Sequence, residues 1–204
     1  MGKAYHGYPH GVRQAAWKRG HMTALEAIRV GAWKQAMVPA SLSVNKEGRI
    51  EAVTRQVMQT ISAAKSWPSV IGNTSTPFWA TYRQVVADAV GAKKAGTGLY
   101  GLDGVEYPVA SALLCILDPE RWPVIDQHAV RAVFKPRADG REHPTNTWYC
   151  ATVYTTYAQH LATVGDACWG PGLTIHKIDE QAMAVGKARG PYPNGWYQIP
   201  LPKC

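Results

Sequence analysis

The chain has 204 residues, 46% of them hydrophobic and 18% charged, so it can bury a core and does not read as a disordered chain. Lys and Arg number 22 against 14 Asp and Glu, a net charge of +8, which favours a polyanionic partner, either nucleic acid or an acidic membrane surface. No apolar run approaches the ~20 residues that span a bilayer, and Cys115, Cys150, Cys168 and Cys204 are too scattered for a zinc ribbon or an iron–sulfur loop.

Residues 1–21 are rich in Gly, His, Lys and aromatics and suit a basic arm or a loosely packed first helix. The opening MGKAYHGYPHGVRQ lacks the apolar stretch of a secretory leader, and His6 stands where a myristoylation signal needs Ser or Thr. The expectation is a cytoplasmic protein with four reduced thiols and no membrane attachment. From Thr23, which can cap a helix, Leu25, Ile28, Ala32 and Trp33 recur at helical spacing. A break over 39–45 precedes a second helix, 46–64, with Ile50, Val53, Val57, Met58 and Ile61 on one face. Residues 67–77 hold Pro68, Gly72, Asn73 and Pro77 and read as loop. A third helix is expected over 78–90, with Tyr82, Val85, Val86 and Ala89 inward.

A Gly-rich basic loop with Lys93 and Lys94 then leads through the tight turn Leu102-Asp103-Gly104-Val105. A small-residue helix follows over 108–117, with Pro108 suited to its first turn. Asp118-Pro119 ends it, and another helix begins after Asp126. Helices are expected at 147–164 and 177–185, and the Pro-rich tail reads as an extended strap. Strand-like alternation is nearly absent, so the fold class is all-α.

Two features in the middle of the chain carry chemistry. Gly104 between two helices supplies positive φ or lets another backbone approach. The amides at the start of the Pro108 helix would point outward and attract an anion such as a DNA phosphate. Asp126 is placed as an N-cap, the commonest role of Asp there. Capping and catalysis are compatible, because helix amides and the dipole favour the ionised carboxylate. Such a carboxylate can stabilise positive charge developing on a sugar or orient a water towards it.

Together, the LDGV turn, the short apolar helix and VIDQH about 20 residues later resemble the core of the helix-hairpin-helix DNA glycosylases, in particular their eight-oxoguanine-glycosylase-like prokaryotic branch. The resemblance covers roughly residues 24–134. Leu102, Gly104 and Val105 match the hairpin, Asp126 the essential aspartate, and His128 the histidine that contacts a phosphate beside the flipped nucleotide. Trp33, Lys34 and Gln35 match the stretch near the DNA-probing loop. The resemblance implies a helix-hairpin-helix glycosylase-like fold, with two small helical lobes flanking a cleft in a single domain spanning 1–204. Residues 24–134, with a hairpin at 99–110, would form one lobe, and 1–23 plus 135–204 the other.

The chain departs from the family pattern in two places. Glu106 replaces the second hairpin glycine and brings negative charge to the presumed phosphate site. Pro108 stands where bifunctional members carry a lysine, so no Schiff base can form there. The resemblance therefore implies a monofunctional hydrolase that leaves an abasic site, in repair or in defence against phage with modified bases. Lys34, Lys93, Lys94 and Arg131 are candidate phosphate contacts, and Trp122, Trp148, Tyr149, Trp169 and Trp196 candidates for a base pocket or for core. The partner implied is DNA, with no obligatory protein partner. No cofactor is expected, the one ion the hairpin could take being a monovalent cation. Three other readings stand beside this one: a non-catalytic helix-hairpin-helix DNA-binding module, a basic adaptor for an acidic protein, and a metal hydrolase, which the scattered His disfavour. The 175–183 stretch, IHKIDEQAM, carries no assigned chemistry.

Overall fold

Apolar spacing near 3.6 residues dominates the chain, and helices form where it does. A computed structural model describes residues 9–34, 41–143 and 150–204. Among the described residues there are eight helices and no strands, so the chain is all-α. They are α1 (Val12–Arg19), α2 (Ala24–Lys34), α3 (Glu47–Ser62), α4 (Thr76–Val90), α5 (Tyr107–Leu117), α6 (Gln127–Val133), α7 (Ala151–Trp169) and α8 (Ile175–Ala188). None of them is long and apolar enough to cross a membrane.

The chain forms two compact units, one of residues 1–66 and 87–118, the other of 67–86 and 119–204. Residues 9–23 fall in the unit that holds the hairpin, and 119–134 in the unit of the C-terminal helices.

In the first unit α5 is the core. Every residue from Val109 to Leu117 is buried, as expected of a helix that is apolar all round. It packs against α1 and α2, and its last carbonyl, on Leu117, accepts the Trp17 indole N–H at 2.9 Å. Thr23 caps α2 as anticipated and forms a full capping box. Its N–H donates to Glu26 at 2.9 Å, and the Glu26 N–H returns to its hydroxyl at 3.3 Å. The buried face of α2 is Ala27, Val30 and Gly31 rather than the expected Leu25, Ile28 and Ala32, and Leu25 is 67% exposed. Small residues win that face because the helix lies against α5.

In the second unit α6 packs against α8, and α8 against α7. Tyr82, Trp122 and Tyr154 are fully buried, and Trp67, Phe78 and Trp79 ring Tyr82 with centroids 5.1–6.3 Å away. Trp122 is thus core. Residues 190–204 form the expected strap, which lies along the end of α6. Ile199 accepts from Lys135 at 2.8 Å and donates to the Val133 carbonyl at 2.9 Å. Trp196 donates to the Ala132 carbonyl at 2.9 Å, and Gln198 to that of Arg131 at 2.6 Å. The strap thereby satisfies carbonyls that a helix end leaves without intrahelical donors.

The expectation of four reduced thiols is corrected for two of them. Cys150, at the N-cap of α7, and Cys204, at the strap's end, form a disulfide across 54 positions of sequence, with Cα atoms 5.9 Å apart. Scattered spacing hid a pair that only the returning strap brings together.

Two predictions follow from this packing. A Cβ on Gly186 of α8 would lie 1.9 Å from the His128 carbonyl oxygen of α6, so Gly186→Ala must push the two helices apart. A loss of about 1–3 kcal/mol is expected by denaturant unfolding, and an unchanged midpoint would refute the close approach. His160 on α7 lies edge-on to Trp196 and Tyr197 of the strap, at 4.9 and 5.0 Å. Burial lowers its pKa from 6.5 to about 4. A folded-state pKa below the unfolded one means stability is held above pH 6.5 and lost as pH falls towards 4. The loss should reach about 3 kcal/mol, and His160→Phe should flatten the dependence by one proton. An equal slope in that variant would contradict it.

Candidate functional site

The turn 102–105 lies in the first unit. Leu102 and Val105 are 2% and 4% exposed and anchor it from below. Gly104 has φ +80°, and a Cβ there would lie 2.3 Å from that of Ser41. Both the left-handed backbone and the contact exclude other residues. Asn45, which the sequence did not flag, holds the turn from the side. Its carboxamide donates to the Asp103 carbonyl at 3.0 Å and accepts the Asp103 N–H at 2.9 Å. A single side chain thus replaces a backbone partner at both polar groups of that residue.

The anion cradle expected at the start of the next helix is reduced. Pro108 has no N–H, and the Val109 and Ala110 amides are both spent on the Glu106 carbonyl, at 2.9 and 2.8 Å. Glu106 itself pairs with Lys93, which takes up one of the lysines expected on phosphate. Lys94 is exposed. Trp33 and Lys34 form the end of α2, half-buried and engaged in further contacts. Gln35 lies outside the described residues, as do Trp148 and Tyr149.

Asp126, His128 and Arg131 come together on α6 in the second unit. Asp126 is the N-cap, with Oδ1 accepting the His128 and Ala129 amides, each at 2.8 Å. These bonds fix the carboxylate at the positive end of the helix dipole. Partial exposure leaves the side chain in reach of a ligand.

The approach to Asp126 is fixed as firmly as the cap. Tyr154 donates to the Pro123 carbonyl at 2.7 Å, and the Val124 amide donates to Asp179 at 2.9 Å. Tyr157 donates to the other oxygen of Asp179, and the Asp179 carboxylate is 3% exposed. Asp179 sits on the same face of α8 as Ile175, Ile178 and Ala182, all buried. A carboxylate on an otherwise apolar helix face is the signal in the sequence that marks this residue. Asp179→Ala would remove the acceptor of the Val124 amide and strand that buried donor, at about 1–3 kcal/mol. Hydrogen exchange at Val124 should accelerate along with the loss of stability, and unchanged protection of that amide would refute the role.

Arg131 is only 19% exposed on its side chain and is held within the unit. Nε and Nη2 donate to Glu142 at 2.8 Å each, and Nη1 donates to the Gly186 carbonyl at 2.9 Å. Nη1 also lies 3.1 Å from Nδ1 of His128. A guanidinium can only donate, so Nδ1 is the acceptor of this contact. Beside Nε2, at 3.4 Å, is the Gln127 amide.

Trp169 and Trp196 have ring centroids 4.6 Å apart with planes tilted by 53°, and Trp196 lies edge-on to His160. Both tryptophans are partly exposed, unlike Trp122. Among the described residues no group of three or more His, Cys, Asp or Glu is arranged to hold a metal ion. No family model matches the chain, and neither the curated proteins nor the solved structures yield a match to it.

Proposed function

We propose that the protein is a monofunctional DNA glycosylase, with Asp126 as the catalytic carboxylate. The observation that carries this reading is a helix N-terminus that fixes one carboxylate by two amides, in a sequence whose hairpin and VIDQH segments resemble those of helix-hairpin-helix glycosylases. The net charge of +8 suits a phosphate backbone.

In this mechanism the target nucleotide rotates out of the duplex, most easily where the base is damaged or badly paired. The bond between C1′ and the base nitrogen breaks, and its electron pair leaves with the base. Positive charge accumulates on the deoxyribose ring, and Asp126 stabilises it electrostatically. Water then bonds to C1′, and its proton balances the charge on the departing base. The products are free base and an abasic site. Pro108, in place of a lysine, leaves no amine there to attack C1′. His128 contacts a phosphate beside the flipped nucleotide, as the resemblance implies. The substrate is a modified or damaged base, met in base-excision repair or in phage DNA carrying modified bases.

A second reading is favoured by the Lys93–Glu106 pair and by the amides already spent at the start of α5. Under it the protein is a DNA-binding module, and Asp126 only caps α6. Wild type and Asp126→Asn, incubated with DNA carrying a panel of modified bases, distinguish the two. Abasic sites should form with wild type and fall by at least about a hundredfold in the variant, with DNA binding retained. Equal counts in both proteins would remove Asp126 from the chemistry. Binding without abasic sites on any substrate would favour the module.

A further inference from the structure

A cavity of about 210 Å³ runs beside α6, lined by Gln127, Val130, Arg131, Phe134, Glu142 and Arg189 among others. All of these residues belong to the second unit. Val130 and Phe134 are buried and give it an apolar floor. Its rim is ionic. Glu142 is caught between two guanidinium groups, accepting the two-pronged Arg131 fork and also Arg189 Nη2 at 2.9 Å. These bonds, with Arg131 the largest contributor, hold the Glu142 carboxyl below its ordinary pKa. The partners differ in freedom. Arg131 is anchored by the Gly186 carbonyl, whereas the Glu142 and Arg189 side chains are 49% and 71% exposed. Glu142 also ends the exposed loop 135–142, which carries Lys135, Arg137 and Arg141.

A carboxylate between two arginines occupies the place that a phosphate would take. Both groups present paired oxygens to a guanidinium fork, and the phosphate adds a further acceptor for a second arginine. Glu142 is held by both arginines, but its side chain is 49% exposed, so a phosphate on a polyanion can compete for the same donors. We infer that Arg131 and Arg189 form a phosphate-binding fork, that Glu142 fills it in the free protein, and that a backbone phosphate of DNA displaces Glu142. The loop then swings its carboxylate out and leaves its basic residues facing the strand. This rests on the DNA partner proposed above but not on excision by Asp126, so a binding measurement tests it whether or not abasic sites form.

The experiment measures binding of a labelled DNA duplex to wild type, Glu142→Gln, Asp139→Asn, Arg189→Gln and the Glu142→Gln/Arg189→Gln double variant at one low salt concentration. Asp139 is the control for net charge, since it lies on the same loop and pairs with Arg137. Glu142→Gln should bind about three- to tenfold tighter, and Asp139→Asn should gain less than about twofold. Arg189→Gln should bind more weakly, and the double variant should lose the gain. An equal gain in Asp139→Asn, or a gain that survives in the double variant, would overturn the fork. Inorganic phosphate, followed by the Arg131 Nε–H resonance, separates the two sources of the anion. A phosphate-induced shift that is stronger in Glu142→Gln, without DNA binding, supports the fork with free phosphate as its occupant. Neither DNA binding nor such a shift overturns it.

Discussion

The second unit depends on satisfying both ends of α6. The helix has seven residues, too few to persist alone, since isolated helices of that length do not repay the cost of nucleation. At its start the Asp126 side chain takes two amides. At its end the strap supplies donors to the carbonyls of Arg131, Ala132 and Val133. Along its side, Gly186 lets α8 approach to the His128 backbone. The disulfide between Cys150 and Cys204 ties the strap that does half of this work. In the chain-entropy model, closing a loop of that length contributes about 4 kcal/mol.

Under the proposed function, Asp126 would both cap α6 and stabilise the charge of the reaction. Asn and Ser cap helices about as well as Asp, so capping alone does not demand a carboxylate. A carboxylate in that place brings a full negative charge, fixed in direction by amides that need not reorganise as a reaction proceeds. Charge of that kind is what a developing oxocarbenium ion requires. The loop before it adds rigidity, because Tyr154 and Asp179 hold the two residues that precede Ile125.

Most of the helices were legible because their apolar residues keep helical spacing. The 46–64 pattern became α3 with Ile50, Val57, Met58 and Ile61 buried, and Asp126 was placed as a cap from its position alone. What stayed hidden needed contacts between distant segments. The Cys150–Cys204 bond depends on the path of the strap. Asn45 meets the turn at Asp103 across 58 positions. The inward face of α2 went to Ala27 and Gly31 rather than to Leu25, because close packing on α5 rewards small side chains over hydrophobic ones. Arg131 reads in the sequence as a candidate phosphate contact; its engagement by Glu142 and by the Gly186 carbonyl follows only once α6, α8 and the 135–143 loop are packed.

The most direct test of the account separates the cap from the charge in one protein. Asp126→Ser retains a capping hydroxyl and removes the carboxylate. Its unfolding free energy and its rate of abasic-site formation, measured on the same preparation, give the answer. The account predicts stability within about 0.5 kcal/mol of wild type and excision lost. Excision retained at the wild-type rate, with stability unchanged, would contradict it.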